Sequence, residues 1–140
     1  RTTALRSPES EVTMKLDHIA LYVDDLEAMK SFYTRHFGAT ANDQYHNPHT
    51  GLRTYFLSFE GGARLEIMQH PEVSPRASSG NTLGYTHISF KLGSQEKVDQ
   101  LTTRLQEVGC PLLNGPRVTG DGYYESVLTD PEGNQIELVA

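Results

Sequence analysis

The apolar and polar positions of the chain follow two spacings, one near two residues and one near 3.6. The stretch KLDHIALYV at 15–23 is apolar and β-branched, which predicts a strand, and Asp24 and Asp25 after it can cap a helix. In LEAMKSFYTRHF at 26–37 the apolar residues recur at helical spacing and Gly38 follows, which predicts an amphipathic helix of about three turns. Further strands are predicted at 40–45, 52–59 and 63–68.

The second part of the chain repeats this order after a connection rich in Pro, Ser and Gly at 71–84. YTHISFKL at 85–92 predicts a strand, and EKVDQLTTRLQEV at 96–108 predicts a helix. The apolar face of that helix would carry Val98, Leu101, Leu105 and Val108. Three more strands are predicted at 111–118, 123–129 and 135–139. The pattern therefore predicts an α+β fold made of two βαβββ modules that arose by internal duplication.

The composition narrows the class of protein. A length of 140 residues with 36% hydrophobic residues fits one domain, which we expect at 14–140 with modules at 14–70 and 84–140. The polar segment 1–13 is expected to be a disordered extension or a cloning remnant. With 18 acidic and 12 basic residues and no basic run, nucleic-acid binding is not expected.

The cysteine content and the hydropathy add two further expectations. Cys110 is the only cysteine, which excludes an internal disulfide and a multi-cysteine zinc site. No apolar run approaches the roughly 20 residues that a membrane helix needs, and the first residues lack the apolar stretch of a signal peptide. We therefore expect a cytoplasmic protein that makes no membrane contact and whose metal sites, if any, use His and carboxylate ligands.

Each module carries a His on its first strand and a Glu on its last strand. Glu66 follows His18 by 48 positions, and Glu137 follows His87 by 50 positions. Neighbouring strand residues point to opposite faces, and apolar residues flank all four, so the four polar side chains share the face away from the predicted core.

Two readings of this repetition are open. Each Glu could lie on a solvent-exposed sheet face and each His could be an ordinary strand residue. The matched spacing instead favours one divalent metal site formed by His18, Glu66, His87 and Glu137. Two imidazoles and two carboxylates suit Zn, Ni or Co, and also Fe or Mn, and leave positions open for water or substrate.

Four segments resemble the signature segments of glyoxalase I and its relatives in the vicinal-oxygen-chelate (glyoxalase, bleomycin resistance and dioxygenase) superfamily. They are DHIALYVDDLEAMKSFYTRHFGA, GARLEIM, GYTHISFKL and LTDPEGNQIELVA. The resemblance implies paired βαβββ modules whose sheets curve round a metal-lined cavity, and a homodimer. It also implies that His18, Glu66, His87 and Glu137 are the metal ligands, and it matches the four-ligand glyoxalase arrangement better than the arrangements with two His and one Glu.

The activity that this resemblance implies is a glyoxalase I-type, lactoylglutathione lyase-like isomerisation. A hemithioacetal of a thiol and a 2-oxoaldehyde such as methylglyoxal would become a thioester, with Glu137 and Glu66 moving a proton between its carbons. The family often has an Arg where this chain has Tyr22 and an Asn where it has His70, so the resemblance does not identify which thiol the substrate contains. Candidate substrate-binding residues are Tyr22, Arg53, His70, Tyr123 and Tyr124.

Other functions of the same superfamily remain as alternatives. One is a protein that sequesters a drug or another small molecule without chemistry, although such resistance proteins usually lack the metal ligands. Another is a metal-dependent thiol transferase that opens an epoxide, as in the fosfomycin-resistance enzymes, but the chain has no dense Arg and Lys cluster for a phosphonate. A dioxygenase is a further alternative if the metal is Fe. The fold alone does not choose among these activities.

Overall fold

The computed structural model describes residue 4, residues 13–76 and residues 81–140. The prediction for 1–13 therefore lies almost wholly outside the described residues. The chain divides into two compact units, Arg1–Ser74 and Pro75–Ala140. The boundary between them falls in the predicted Pro, Ser and Gly-rich connection, and each unit holds one of the two predicted modules.

The first unit is a mixed sheet with one helix packed on it. Its elements are β1 (His18–Tyr22), α1 (Leu26–Phe37), β2 (Thr40–Ala41), β3 (Tyr45–His46), β4 (Arg53–Ser58) and β5 (Arg64–Gln69). The strand order is β1-β5-β4-β2, with β3 also paired to β4, and β1 and β5 are parallel neighbours. This parallel pair results from the crossover through α1, β2 and β4, and it brings the first and last strands of the unit side by side.

The second unit repeats the arrangement. Its elements are β6 (His87–Lys91), α2 (Gln95–Glu107), β7 (Leu112–Val118), β8 (Tyr124–Thr129) and β9 (Gln135–Val139). The strand order is β6-β9-β8-β7, and β6 and β9 are again parallel neighbours. The predicted α+β fold with two βαβββ modules is confirmed.

The helix ends follow the predicted local chemistry. The side chain of Asp25 accepts a hydrogen bond of 3.0 Å from the backbone N–H of Ala28 and so caps α1. Gly38 ends α1 in the left-handed conformation at φ 66°, which a residue without a Cβ adopts at little cost. In α2, the side chain of Ser94 caps the helix by accepting a hydrogen bond from the backbone N–H of Lys97. Asp25 and Ser94 thus fix where α1 and α2 begin, and Gly38 fixes where α1 ends.

Each unit has its own core between its helix and one face of its sheet. In the first unit, Met29 of α1, Leu57 of β4 and Ile67 of β5 are fully buried. In the second unit, Val98 and Leu105 of α2 are fully buried, as are the sheet residues Leu128, Ile136 and Leu138. Because strand side chains alternate, the opposite face of each sheet carries the candidate His and Glu residues together with apolar residues such as Phe56 and Val127.

Two details differ from the sequence prediction. The strand predicted at 40–45 is two short strands, because Asn42 turns its side-chain oxygen to the backbone N–H of Phe56 at 2.8 Å and takes the place of a ladder bond. Val108 is not part of the buried helical face: it caps the end of α2 and is 55% exposed. Thr102 is buried instead, with its hydroxyl 2.7 Å from that of Ser126.

Candidate metal centre

In the first unit, His18 and Glu66 lie side by side on the sheet face away from α1. Ala20 is the register partner of Glu66 on the parallel strands β1 and β5, so His18 projects from the same face one step along the strand. The distance between His18 Nε2 and Glu66 Oε1 is 3.8 Å. Leu65 and Ile67, on either side of Glu66, point into the core and are 3% and 0% exposed. The predicted alternation is confirmed on this strand.

The other ring nitrogen of His18 is bound by a carboxylate. His18 Nδ1 is 2.7 Å from Asp17 Oδ2, and the same oxygen accepts a hydrogen bond of 2.8 Å from Arg64 Nη2. The hydrogen bond from His18, together with Arg64, lowers the pKa of Asp17 below its usual value, so this group stays ionised. An ionised carboxylate only accepts hydrogen bonds, so Nδ1 must carry the proton. In neutral His18 the lone pair therefore lies on Nε2, which faces Glu66.

Phe56 of β4 fixes the ring of His18 from the side. Its ring centroid is 5.2 Å from that of His18 in an edge-on arrangement, and the guanidinium of Arg64 stacks 4.2 Å from the Phe56 centroid. Phe56 is also the register partner of Glu66 on its other side. The Asp17, Arg64 and Phe56 contacts together restrict how the imidazole can rotate.

In the second unit, His87 and Glu137 form the equivalent pair. His87 Nε2 is 3.2 Å from Glu137 Oε2, on the parallel neighbours β6 and β9. The hydroxyl of Thr86 is 2.8 Å from His87 Nδ1, and the hydroxyl of Ser89 donates a hydrogen bond of 2.9 Å to Glu137 Oε1. A hydroxyl can donate or accept, so Thr86 permits either neutral form of His87 where Asp17 allows His18 only one.

A second carboxyl group lies next to Glu137. Glu125 of β8 projects from the same sheet face, because Val127, two residues on, is the register partner of Glu137. Partial burial raises the pKa of Glu125, and a hydrogen bond with Glu137 raises it further, while Arg117 acts in the opposite direction. Two carboxyl groups therefore lie side by side on this face of the second unit.

The donor chemistry of the two pairs fits a divalent ion. Each unit offers one imidazole Nε2 and one carboxylate on adjacent strands, each carboxylate side chain being about 15% exposed. Burying such a carboxylate is costly unless a cation or a hydrogen bond compensates. Among the described residues, no group of three or more His, Cys, Asp or Glu side chains lies close enough together to hold a metal ion. The use of both pairs by one ion stays a prediction.

Two predicted substrate-binding residues share a face with the first pair. Tyr22 is the register partner of Met68 at the end of β1, on the Glu66 face, and its side chain is 59% exposed. His70 follows β5 directly, and its Nδ1 accepts a hydrogen bond of 3.1 Å from the backbone N–H of Glu72. Both residues thus border the surface that carries His18 and Glu66.

Other predicted substrate contacts lie elsewhere. Arg53 is the register partner of Gln69 and so belongs to the opposite face of its sheet from Glu66. Tyr124 projects to the helix-covered face, where its hydroxyl donates a hydrogen bond to Asp99 of α2. Arg53 and Tyr124 thus lie on the sheet faces opposite the His and Glu pairs of their own units, and their contact with a substrate stays a prediction. Tyr123 lies in the turn before β8, where its backbone bonds Thr119.

Three residues that the sequence pattern did not single out contact three of the four candidate ligands. Asp17 and Thr86 each bind the Nδ1 atom of the His that follows them, and Ser89 binds Glu137. The sequence did contain a signal for Asp17 and Thr86, because each is a polar residue directly before a His at the start of an apolar strand. The role of Ser89 needed the strand register, which the sequence does not contain.

We predict that Asp17→Asn weakens metal binding by about 10- to 100-fold, because an outer carboxylate fixes the orientation and raises the basicity of a ligating His. The measurement is the dissociation constant of Co²⁺ or Zn²⁺ obtained by competition with a chelator. Asp43→Asn is the matched control, since Asp43 is an exposed aspartate of the same unit. Equal dissociation constants for the two variants and the parent would contradict this role of Asp17.

Cys110 is buried, at 5% exposure, directly after the turn that ends α2. Burial raises the pKa of its thiol, and the charge of Asp130 raises it further, so little thiolate exists at neutral pH. We predict that a thiol reagent modifies Cys110 in the folded protein at least about tenfold more slowly than in guanidinium-unfolded protein. Equal rates, followed by absorbance at pH 8, would contradict the structural role assigned to this cysteine.

The model of the Glyoxalase/Bleomycin resistance protein/Dioxygenase superfamily matches residues 15–138. The chain belongs to this superfamily. It is 31% identical over 130 residues to the uncharacterized protein YqjT of Bacillus subtilis, covering 89% of this chain and 98% of that protein. It is 33% identical over 126 residues to an uncharacterized protein of Pseudomonas aeruginosa, covering 88% of this chain and 86% of that protein.

Solved structures share the fold. A glyoxalase family protein from Enterococcus faecalis is similar, with a TM-score of 0.74 and 27% identity over 90% of this chain and 97% of that one. The trypanothione-dependent glyoxalase I of Leishmania major is similar at a TM-score of 0.71 and 21% identity, over 91% of this chain and 86% of that one. At this identity the second likeness concerns the fold alone. No helix among the described residues is long and apolar enough to cross a membrane.

Proposed function

We propose that the protein is a metal-dependent isomerase of glyoxalase I type, which converts the hemithioacetal of a 2-oxoaldehyde such as methylglyoxal and a thiol into a thioester. The observation that carries this proposal is the repetition of one His and Glu pair on the first and last strands of both units, at 3.8 Å and 3.2 Å. Such a repeat is expected where two modules contribute equally to one ion. Superfamily membership supports the same chemistry.

In this proposal His18, Glu66, His87 and Glu137 hold one divalent ion, with Zn, Ni or Co the ions best matched to two imidazoles and two carboxylates and Fe or Mn as further options. We further propose that the protein is a homodimer. When bound, the ion would act as a Lewis acid that polarises the neighbouring oxygens of the substrate. Sedimentation of the metal-loaded protein tests the dimer.

The residues of the chain would supply binding and proton movement. A carboxylate beside the substrate, Glu66 or Glu137, would take the proton from the carbon that bears sulfur and return it to the neighbouring carbon. Tyr22 and His70, which border Glu66, are proposed to contact the thiol part of the substrate. Neither carries a fixed positive charge like that of Arg, so we do not require the thiol to be glutathione.

The test is an isomerase assay on protein stripped with a chelator and reloaded separately with Zn, Ni, Co, Fe or Mn. Methylglyoxal is mixed with glutathione or with cysteine, and thioester formation is followed by ultraviolet absorbance. Turnover that needs the metal and falls in both Glu66→Gln and Glu137→Gln is the expected result. Metal binding without turnover on any thiol would contradict the isomerase function, and oxygen uptake with Fe would favour a dioxygenase.

A further inference from the structure

One row of four side chains crosses the sheet of the first unit on the face that carries Glu66. Tyr22 of β1 is the register partner of Met68 of β5. Met68 is in turn the partner of Thr54 of β4, which pairs with Tyr45 of β3. Register partners project from the same face of a sheet, and Met68 follows Glu66 by two residues on β5. These four residues, called the tyrosine row, therefore border the candidate ligand Glu66.

The two ends of the tyrosine row are exposed and its middle is covered. Tyr22 and Tyr45 are 59% and 53% exposed, whereas Thr54 is buried and Met68 is half-buried. Among the residues that the structure describes, neither tyrosine hydroxyl has a hydrogen-bond partner. A single exposed aromatic residue is ordinary, but two of them at the ends of one row, over a covered middle, form a contact surface.

The equivalent row of the second unit has a different chemistry. Lys91 of β6 pairs with Val139 of β9, and Glu125 of β8 pairs with both Val139 and Arg117 of β7. Three of these four residues are Lys, Glu or Arg, whereas the tyrosine row contains no Asp, Glu, Lys, Arg or His. The two units thus share a strand arrangement but present an ionic row in one sheet and an uncharged, aromatic row in the other.

The width of the tyrosine row fits a planar ring. Neighbouring strands lie about 4.8 Å apart, so the backbone positions of Tyr22 and Tyr45, three strand spacings apart, are separated by about 14 Å. A ring midway between them lies about 7 Å from each, and aromatic rings attract one another at centroid separations of about 4.5–7 Å. Between the tyrosines, the thioether of Met68 offers a polarizable surface that also favours an aromatic partner.

We propose that the tyrosine row binds a planar, uncharged group of the ligand, an aromatic ring above all, beside Glu66. This inference rests on the proposed function and names its substrate class: hemithioacetals that carry such a ring. A carboxylate does not suit the row, because the row offers no cation to pair with it. Because Tyr22 is proposed to contact the thiol part, the thiol is the first source of the ring, and the oxoaldehyde is the second.

Two pairs of ligands test this inference by binding alone. S-benzylcysteine is compared with S-methylcysteine for a ring on the thiol part, and mandelamide with lactamide for a ring on the part that the oxoaldehyde supplies. Titration calorimetry measures the four dissociation constants. In at least one pair, the ligand with the ring is expected to bind the parent protein at least about tenfold more tightly, because it buries more apolar surface against the tyrosines. The pair that shows this preference identifies the source of the ring.

Variants of the two tyrosines assign the preference to the tyrosine row. Tyr22→Ala and Tyr45→Ala are each expected to reduce it by about 2- to 10-fold, the contribution of one aromatic contact. Tyr22→Phe and Tyr45→Phe keep the ring and are expected to retain the preference. Leu113→Ala is the matched control, because Leu113 is an apolar residue of the second unit that is 51% exposed, and it should bind all four ligands like the parent. Circular dichroism confirms folding.

Three results would overturn the inference. The first is equal affinity of the parent for both members of both ligand pairs, and the second is an unchanged preference in both alanine variants. The third is a loss in the phenylalanine variants as large as in the alanine variants, because the hydroxyls and not the rings would then bind the ligand. If the parent prefers ligands with a ring but isomerises no hemithioacetal, the proposed function fails while the binding role of the tyrosine row stands.

Discussion

Replacing His87 by alanine should lower the affinity for a divalent ion by more than the roughly 100-fold that a change outside the ligand set causes, because it removes one of the four proposed ligands. It also leaves Glu137 without the ring nitrogen that lies 3.2 Å from its Oε2 atom. Isomerase activity at a fixed, low metal concentration should fall in parallel. Chelator competition and the thioester assay measure the two effects.

His49→Ala is the matched control for this variant, because His49 lies exposed in a turn and is not one of the four candidate ligands. It should bind metal like the parent. His18→Ala should behave like His87→Ala although the two residues belong to different units. If only one of these two variants lost the ion, a single pair would hold it, and the four-ligand centre would be refuted.

Leu138→Ala should lower the free energy of unfolding by about 2–5 kcal/mol, the cost of truncating a fully buried side chain. Leu138 follows Glu137 on β9 and packs under α2 on the opposite face of the sheet, so it also holds the strand that carries a candidate ligand. Urea unfolding followed by circular dichroism measures the change.

Val118→Ala is the control in the same sheet, since Val118 is 64% exposed and should change the free energy of unfolding by no more than about 0.5 kcal/mol. A Leu138→Ala protein as stable as Val118→Ala would mean that β9 does not depend on this core. Such a result would contradict the assignment of the helix-covered face of the second unit.

The fold was predictable because local signals and long-range patterns agree in this chain. The bounds of α1 follow from apolar residues at helical spacing and from the cap residues Asp25 and Gly38. The alternation of apolar and polar residues around Glu137 predicted both ends of β9 correctly. Because the chain contains two modules, the same pattern of strands and helix occurs twice, and each copy supports the prediction for the other. The structure differs from the prediction where a side chain competes with the backbone, as at Asn42, or where a helix ends, as at Val108.

The candidate site was predictable only in part. Alternation was enough to assign His18 and Glu66 to the face away from the core, because their apolar neighbours fix the phase of each strand. Arg53 and Tyr124 could not be assigned in this way. Tyr124 begins β8 and Tyr123 precedes it, and only the pairing of β8 with β9 shows that Tyr124 lies on the face opposite Glu137.

The different contacts around the two His and Glu pairs could not be predicted from the sequence either. Ser89 and Ala20 each stand two residues after a candidate His ligand, but their relation to Glu137 and Glu66 depends on strand register. Asp17 binds Arg64 from a strand distant in sequence, which places a charge behind His18 that has no counterpart behind His87. Contacts of this kind arise from the fold and not from local pattern.

Counting the bound ions per chain tests the central claim most directly. Chelator-stripped protein is titrated with Co²⁺ at protein concentrations well above the dissociation constant, and the visible absorption is followed to saturation. If the His18 and Glu66 pair and the His87 and Glu137 pair share one ion, the titration ends at one Co²⁺ per chain. An end point of two per chain would mean that each pair binds alone, and no binding would contradict the metal centre.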